Sequence, residues 1–215
     1  MTAIIFDLDG TLIDSAPDLA SSANAMLAAF DAEPLSLAEV RGFIGNGVPK
    51  LVERCLCARG LGDGVHPKAL AAFTAHYEAA PAAQTVLYPG AKVALEQIAA
   101  NYKLGLCTNK PEAPARKLLR HFQLDHLFEV VIGGDSLKVR KPDPAPLIAT
   151  RKALGASAAI FVGDSEVDAQ TAQAAGMPFA LYTEGYRKTP AVRIPHWRAF
   201  ADHAALPELL RREAA

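Results

Sequence analysis

Positive charge is nowhere concentrated in this chain. No run of lysine or arginine exceeds two residues, and 22 basic against 23 acidic side chains leave a formal net charge of −1. A nucleic-acid surface needs a basic patch or stripe, so no nucleic-acid partner is expected. Long apolar runs are missing too, none approaching the ~20 residues that cross a bilayer, so no membrane partner is expected either. No basic segment precedes the first apolar run, which argues against a secretory signal and makes the cytoplasm the expected location. Cysteine is scarce, at three residues in 215, and the count is odd. Reduced structural thiols are the expectation. Cys107 falls in an expected strand, and Cys55 and Cys57 lie on an expected helix without the further ligands a metal site needs. What is plentiful is apolar surface, 51% of residues, in a chain of 22.8 kDa. That suffices for one large domain, or one domain with a small insert.

The most informative stretch is the start, Ala3-Ile4-Ile5-Phe6-Asp7-Leu8-Asp9-Gly10-Thr11-Leu12. Its apolar, β-branched opening reads as a buried strand. If the strand continues through them, Asp7 and Asp9 lie on one side of it. Two carboxylates crowded at the end of a buried strand repel each other and lose water, so a cation or a shared proton is called for. Open α/β sheets build their sites at such carboxyl ends.

Residues 17–30, 48–59 and 67–80 carry helical spacing, and Ser36-Leu37-Ala38-Glu39 is a capping-box pattern opening another short helix. Strands and helices then alternate. Helices are expected from Pro89-Gly90 to near 101 and over 111–122, 144–154, 167–175 and 206–212. Strands are expected over 103–108, 129–133, 158–162 and 178–182, with a short one near Trp197. That alternation implies a parallel sheet covered on both faces. The expected fold is α/β: a Rossmann-like parallel-sheet core, residues 1–14 and 83–215, with a small all-helical cap, residues 15–82, inserted after strand 1. The join at 81–89 would supply a second hinge strand.

Further polar groups fall at later strand ends. Thr108-Asn109-Lys110-Pro111 places a hydroxyl, an amide and backbone N–H groups at a helix start, where phosphate oxygens can bind. In Arg140-Lys141-Pro142-Asp143-Pro144, two prolines stiffen a loop that presents Lys141, a compact positive charge. In Gly163-Asp164-Ser165-Glu166-Val167-Asp168, an apolar strand again ends in a carboxylate, with a second one four residues on. Asp7 can act as a nucleophile that accepts a phosphoryl group, and Asp9 as general acid and then base. Mg2+ takes one or two carboxylates together with water and phosphate oxygens, and Asp164 can supplement Asp7. Asp168 is better suited to orienting this shell, or to pairing with Lys141, than to ligating.

In order and position these strings resemble motifs I to IV of the haloacid dehalogenase (HAD) superfamily, over nearly the whole chain. The resemblance implies Asp7 as nucleophile, Asp9 as acid/base, and Mg2+ held by the Asp7 carboxylate, the Asp9 carbonyl and Asp164. Thr108, Asn109 and Lys141 would hold the phosphoryl group, and the insert would be a C1-type cap. A second aspartate two residues after the nucleophile sets the chain apart from the dehalogenases and P-type ATPases of that superfamily, and favours phosphate esters, whose alkoxide leaving group needs a proton. The cap string Phe43-Ile44-Gly45-Asn46-Gly47-Val48-Pro49 looks like that of phosphoglycolate phosphatases, as do Asp14-Ser15-Ala16-Pro17-Asp18-Leu19 and Gly185-Tyr186-Arg187. Gly45, Asn46, Gly47 and Lys50, with Arg54 nearby, are the candidates for specificity toward a small carboxylated substrate. The activity so implied is Mg2+-dependent hydrolysis of a small phosphorylated metabolite, 2-phosphoglycolate first, by a monomer or homodimer. The alternatives are a sugar-phosphate phosphatase, a β-phosphoglucomutase-like phosphotransferase, and a non-catalytic binding protein on the same scaffold.

Overall fold

A computed structural model describes residues 1–80 and 82–211, so Pro81 of the expected hinge and Arg212 of the expected last helix lie outside the described residues. The elements run β1 (Thr2–Phe6), β2 (Ile13–Asp14), α1 (Ala16–Ala28), α2 (Leu37–Phe43), α3 (Val48–Ala58), α4 (His66–Ala79), β3 (Val86–Leu87), α5 (Ala91–Ala99), β4 (Lys103–Cys107), α6 (Glu112–His121), β5 (Phe128–Ile132), α7 (Ala145–Ala153), β6 (Ala158–Gly163), α8 (Glu166–Ala175), β7 (Phe179–Tyr182), β8 (Arg198–Phe200) and α9 (Leu206–Arg211). Two compact units result, Met1–Asp14 with Leu87–Ala215 and, between them in sequence, Ser15–Val86.

The first unit is built on a six-stranded sheet of order β5-β4-β1-β6-β7-β8, every neighbouring pair of which is parallel. Its central strands read as unbroken apolar runs because helices cover both faces. In β1, Ala3, Ile4, Ile5 and Phe6 are wholly buried, and Ile4 lies in register with Leu104 on one side and Ile160 on the other. On one face, Ile5, Cys107, Phe161 and Leu181 pack with Leu147 of α7 and Ala169 and Ala172 of α8. From β1 the sheet grows by β4 and β5 one way and by β6, β7 and β8 the other. The carboxyl ends of β1, β4 and β6 therefore meet at a topological switch point, where open α/β sheets form their binding crevice. The expected strand near Trp197 is β8, at the sheet edge.

The second unit is helical, with a core from α1, α3 and α4 that includes Met26, Leu27, Val52, Leu56 and Phe73. Phe73 and Tyr77 stack with centroids 6.2 Å apart. The expected capping box at Ser36 and Glu39 is formed and opens α2. Asp18, buried in the first turn of α1, accepts backbone N–H bonds from Gln84 (3.0 Å) and Thr85 (2.8 Å), which ties the beginning of this unit to its end. Cys55 is buried and Cys57 exposed, so two thiols two positions apart on α3 face different surroundings, and both are free. Burial pushes the Cys55 thiol up to about 12. The return to the first unit is made by β3, a strand of only two residues.

Candidate active site

The chain turns sharply after β1. The Asp7 N–H donates to the Val162 carbonyl at 2.9 Å and extends the ladder by one residue. The Leu8 carbonyl then accepts N–H bonds from Thr11, Leu12 and Ile13, which closes a tight turn. This corrects the expectation that one strand aligns both aspartates: β1 stops at Phe6, and a turn rather than the pleat sets Asp9. Gly10 makes the turn with a φ of +85°, and a Cβ there would stand 2.5 Å from Asp164 Oδ2. The Asp9 carboxylate meets Lys110, whose Nζ donates to its two oxygens at 3.0 and 3.3 Å.

Asp7 belongs to a different cluster. Lys141 Nζ stands 2.9 Å from Asp7 Oδ1 and donates to Asp168 Oδ1 at 2.6 Å, with all three residues buried. The Asp7 oxygen faces this ammonium, which favours the ionised carboxylate. Asp168 is the third residue of α8 and closes a capping box with Ser165, whose hydroxyl donates to Asp168 Oδ2 at 2.6 Å. Both Asp168 oxygens are thereby engaged, which suits an orienting role. Burial pushes the Asp7 carboxyl up to about 7, with Lys141 opposing and Asp168 and Asp9 adding to the rise. Burial and the Asp168 charge raise Asp164 well above the usual carboxylate range. Burial works to lower Lys141, but Asp168 and Asp7 outweigh it and hold the ammonium charged.

Asp164 is gripped from two sides. Thr11 Oγ1 donates to Oδ1 at 2.8 Å, and the Tyr186 N–H donates to Oδ2 at 2.6 Å. Gly185 permits the second contact, since a Cβ there would lie 2.3 Å from both Asp164 Cβ and the Gly10 carbonyl oxygen. The Tyr186 phenol donates to Asp14 Oδ1 at 2.7 Å. Buried His203 donates from Nε2 to the Thr11 carbonyl at 2.8 Å, the tautomer following from the carbonyl being an acceptor. His203 thus fixes the turn that carries Thr11.

Thr108, Asn109 and Lys141 all come to this end of the sheet and are buried. Thr108 Oγ1 accepts the Lys110 N–H at 3.2 Å, and Asn109 Nδ2 donates to the Lys141 carbonyl at 3.0 Å, so Asn109 holds the lysine loop in place. The residues Gly45, Asn46, Gly47 and Lys50 lie in the second unit. There Arg54 donates to the Phe43 carbonyl (2.7 Å) and to Asn46 Oδ1 (2.8 Å), bracing the loop. Lys50 pairs with Glu53 on the surface of α3. Sequence reasoning missed Lys110, Thr11 and the backbone of Gly185-Tyr186. All sit inside strings that it quoted, but their roles depend on how separate strand ends converge.

Carboxylate oxygens of Asp7, Asp164 and Asp168 lie within 4.8 Å of one another. With all three ionised, three carboxylates against the single ammonium of Lys141 would leave two negative charges in a buried cluster, and without a cation the raised Asp7 and Asp164 hold protons instead. A hard divalent cation with oxygen ligands fits that donor set and that balance. Each Asp164 oxygen accepts one bond and keeps a lone pair for it, whereas Asp168 Oδ2 already accepts from the Ser165 hydroxyl and from the Asp164 and Ser165 N–H groups, and Oδ1 from Lys141.

Comparison with known proteins agrees with the geometry. A family model described as haloacid dehalogenase-like hydrolase matches residues 4–182. A phosphoglycolate phosphatase of Cereibacter sphaeroides is 53% identical over 215 residues, covering 99% of both chains. One from Rhodobacter capsulatus is 45% identical, covering 97% of this chain and 96% of its own. A crystal structure from Haemophilus somnus, described as a predicted phosphoglycolate phosphatase, superposes with a TM-score of 0.92 at 33% identity and 97% coverage of each chain.

Proposed function

The chain belongs to the haloacid dehalogenase-like hydrolases, and on that footing we propose that it is a Mg2+-dependent phosphatase that converts 2-phosphoglycolate to glycolate and phosphate. The observation that carries this reading is the separation of the two N-terminal aspartates. Asp7 sits among Asp164, Asp168 and Lys141, whereas Asp9 sits apart with Lys110. That separation supports a reading in which one carboxylate attacks phosphorus and the other handles the leaving group's proton. The choice of ester is supported by the names of the relatives.

Asp7, Asp164 and the Asp9 carbonyl would hold the metal, which supplies a positive charge that offsets the carboxylates and the phosphoryl oxygens. In the first step an Asp7 oxygen attacks phosphorus, and the bond to the ester oxygen breaks as Asp9 gives that oxygen its proton. The products are glycolate and an aspartyl-phosphate. In the second step Asp9 takes a proton from water as the water oxygen attacks phosphorus, which releases phosphate and restores the Asp7 carboxylate. Lys141 neutralises charge on the phosphoryl oxygens throughout, with Thr108 and the Asn109 segment beside it. Asp168 holds Lys141 in place.

The test is phosphate release from 2-phosphoglycolate and from a panel of sugar phosphates with Mg2+. The expected result is the highest kcat/KM for 2-phosphoglycolate and no release by Asp7→Asn or in excess chelator. Release that persists in either case refutes the catalytic assignment. A flat ranking across the panel refutes the substrate.

A further inference from the structure

Lys110 has no role in the steps just described. It is a second buried lysine at the site, only 6% exposed, and its Nζ lies 3.0 Å from the carboxylate of Asp9, as Lys141 Nζ lies 2.9 Å from that of Asp7. Its backbone is pinned at both ends: the N–H donates to Thr108 Oγ1 at 3.2 Å, and the carbonyl accepts the Gly134 N–H at 2.8 Å. The ammonium is therefore held on the leaving-group side of the site by the rigid end of β4.

An acid that protonates an ester oxygen must lie within about 3 Å of it. A cation in hydrogen-bond contact with that acid then lies within about 6 Å of the same oxygen. In an O–CH2–COO− leaving group, the carboxylate carbon is two bonds from the ester oxygen, so its oxygens fall inside that radius. When Asp9 turns toward the ester oxygen it loosens its contact with Lys110, and a carboxylate on the leaving group can take that contact up as a charge-assisted hydrogen bond. A neutral alcohol gives the ammonium only a weaker, uncharged acceptor.

From this geometry we infer that Lys110 is a specificity-determining residue that receives the carboxylate of the leaving group, so that the core unit itself selects phosphomonoesters of small 2-hydroxy acids. The inference rests on the phosphatase reading above. It assigns to a core residue the selection that the sequence suggested for Gly45, Asn46, Gly47 and Lys50.

The test compares 2-phosphoglycolate with 2-hydroxyethyl phosphate, an ester of similar size with an uncharged leaving group, in the wild type, Lys110→Met and Lys110→Arg. Lys110→Met should slow both esters, because Lys110 also touches Asp9. Its preference for 2-phosphoglycolate, as a ratio of kcat/KM values, should fall by roughly 30-fold or more, as expected when one partner of a buried charged contact is lost. Most of that fall should appear in KM. Lys110→Arg should keep the greater part of the preference, and inhibition by glycolate should weaken in Lys110→Met and survive in Lys110→Arg. A folded Lys110→Met, checked by its melting curve, that loses the same factor on both esters overturns the inference and leaves Lys110 as a positioning residue for Asp9. Wild-type protein that releases phosphate from neither ester overturns the phosphatase reading, and this inference with it.

Discussion

Replacing Gly185 by alanine should damage the proposed metal site from outside its ligand set. The new Cβ would lie 2.3 Å from Asp164 Cβ, 2.3 Å from the Gly10 carbonyl oxygen and 2.4 Å from Asp164 Oδ2. Asp164 Cβ and the Gly10 carbonyl oxygen are not far ends of flexible chains, so either the turn at Gly10 or the start of α8 must move by about 1 Å to restore van der Waals contact. That movement breaks the 2.6 Å bond from the Tyr186 N–H to Asp164. Overpacking costs roughly 1–3 kcal/mol and a charged hydrogen bond is worth about 1.5–3 kcal/mol, so a loss of about 2.5–6 kcal/mol is expected. At about 2–4 °C per kcal/mol for a chain of this size, the melting point should fall by roughly 5–24 °C. The outer support of a metal ligand sets affinity by about 10–100-fold, so a Mg2+ titration followed by the rise in melting temperature should shift to higher concentration by that factor. Tyr186→Phe is the control. It removes the phenol's bond to Asp14 but keeps the backbone N–H, so its Mg2+ titration should match the wild type. A Gly185→Ala protein that melts within a degree of wild type and titrates identically refutes the role given to this segment.

The pH dependence follows from Asp7. Its folded value of about 7 lies above the ordinary 3.8, so between those limits the unfolded carboxyl loses its proton first. The metal-free fold therefore loses stability from this group as pH rises toward about 7, and loses no more above it. Mg2+ competes with that proton, so the stabilisation it gives should be larger at pH 8 than at pH 5.5 in calorimetry; equal shifts would refute the assignment. Asp7→Asn should abolish phosphate release while raising the metal-free melting point at pH 8, because it removes a buried charge. Lys141→Met should do the reverse to stability, since three carboxylates then lack their ammonium; breaking such a buried pair costs about 3–5 kcal/mol. Asp18→Ala should destabilise the helical unit by roughly 1–3 kcal/mol by leaving the Gln84 and Thr85 N–H groups without their acceptor, read as loss of amide-exchange protection in α1 and α4.

Much of this fold was legible in the sequence because its signals are local. The buried strands β1, β4 and β6 are continuous apolar runs, and the helix over 167–175 differs from α8 only by the one residue that the Ser165 capping box adds at its start. The carboxylates were legible because each ends such a run. The path between Asp7 and Asp9 was not, because alternation along a strand predicts one shared face, while the Leu8 carbonyl collects three N–H bonds and turns the chain first. Nor was the pairing of Lys110 with Asp9, which lie 101 positions apart. Nothing in Thr-Asn-Lys-Pro distinguishes a solvated lysine from a buried one until β4 is set beside β1. Gly185-Tyr186 was visible as a string but mute, because its contribution is a missing Cβ and a backbone N–H. Asp14 and Asp18 divide in the same way: one takes the Tyr186 phenol in the first unit, the other closes the second.

In the proposed mechanism two neighbouring aspartates serve opposite purposes, and the two lysines account for how they can. A nucleophilic carboxylate must stay ionised and exposed to phosphorus, and an acid/base carboxylate must exchange a proton with the leaving oxygen. Buried side by side with nothing between them, the two would compete for one proton. The turn after β1 prevents this by sending Asp9 to Lys110 while Asp7 stays with Lys141. Lys141 is in turn fixed by Asp168 from α8, and Lys110 by the backbone at the end of β4. Each aspartate therefore takes its electrostatic environment from a different strand end. Exchanging Asp9 for asparagine should then leave the Asp7 cluster, with its response to Mg2+, nearly intact while slowing ester cleavage, and aspartyl-phosphate formation from an acyl phosphate such as acetyl phosphate, whose leaving group needs no proton, should be spared. If Asp9→Asn impairs both substrates equally, the division of labour between the two lysine-linked aspartates is wrong.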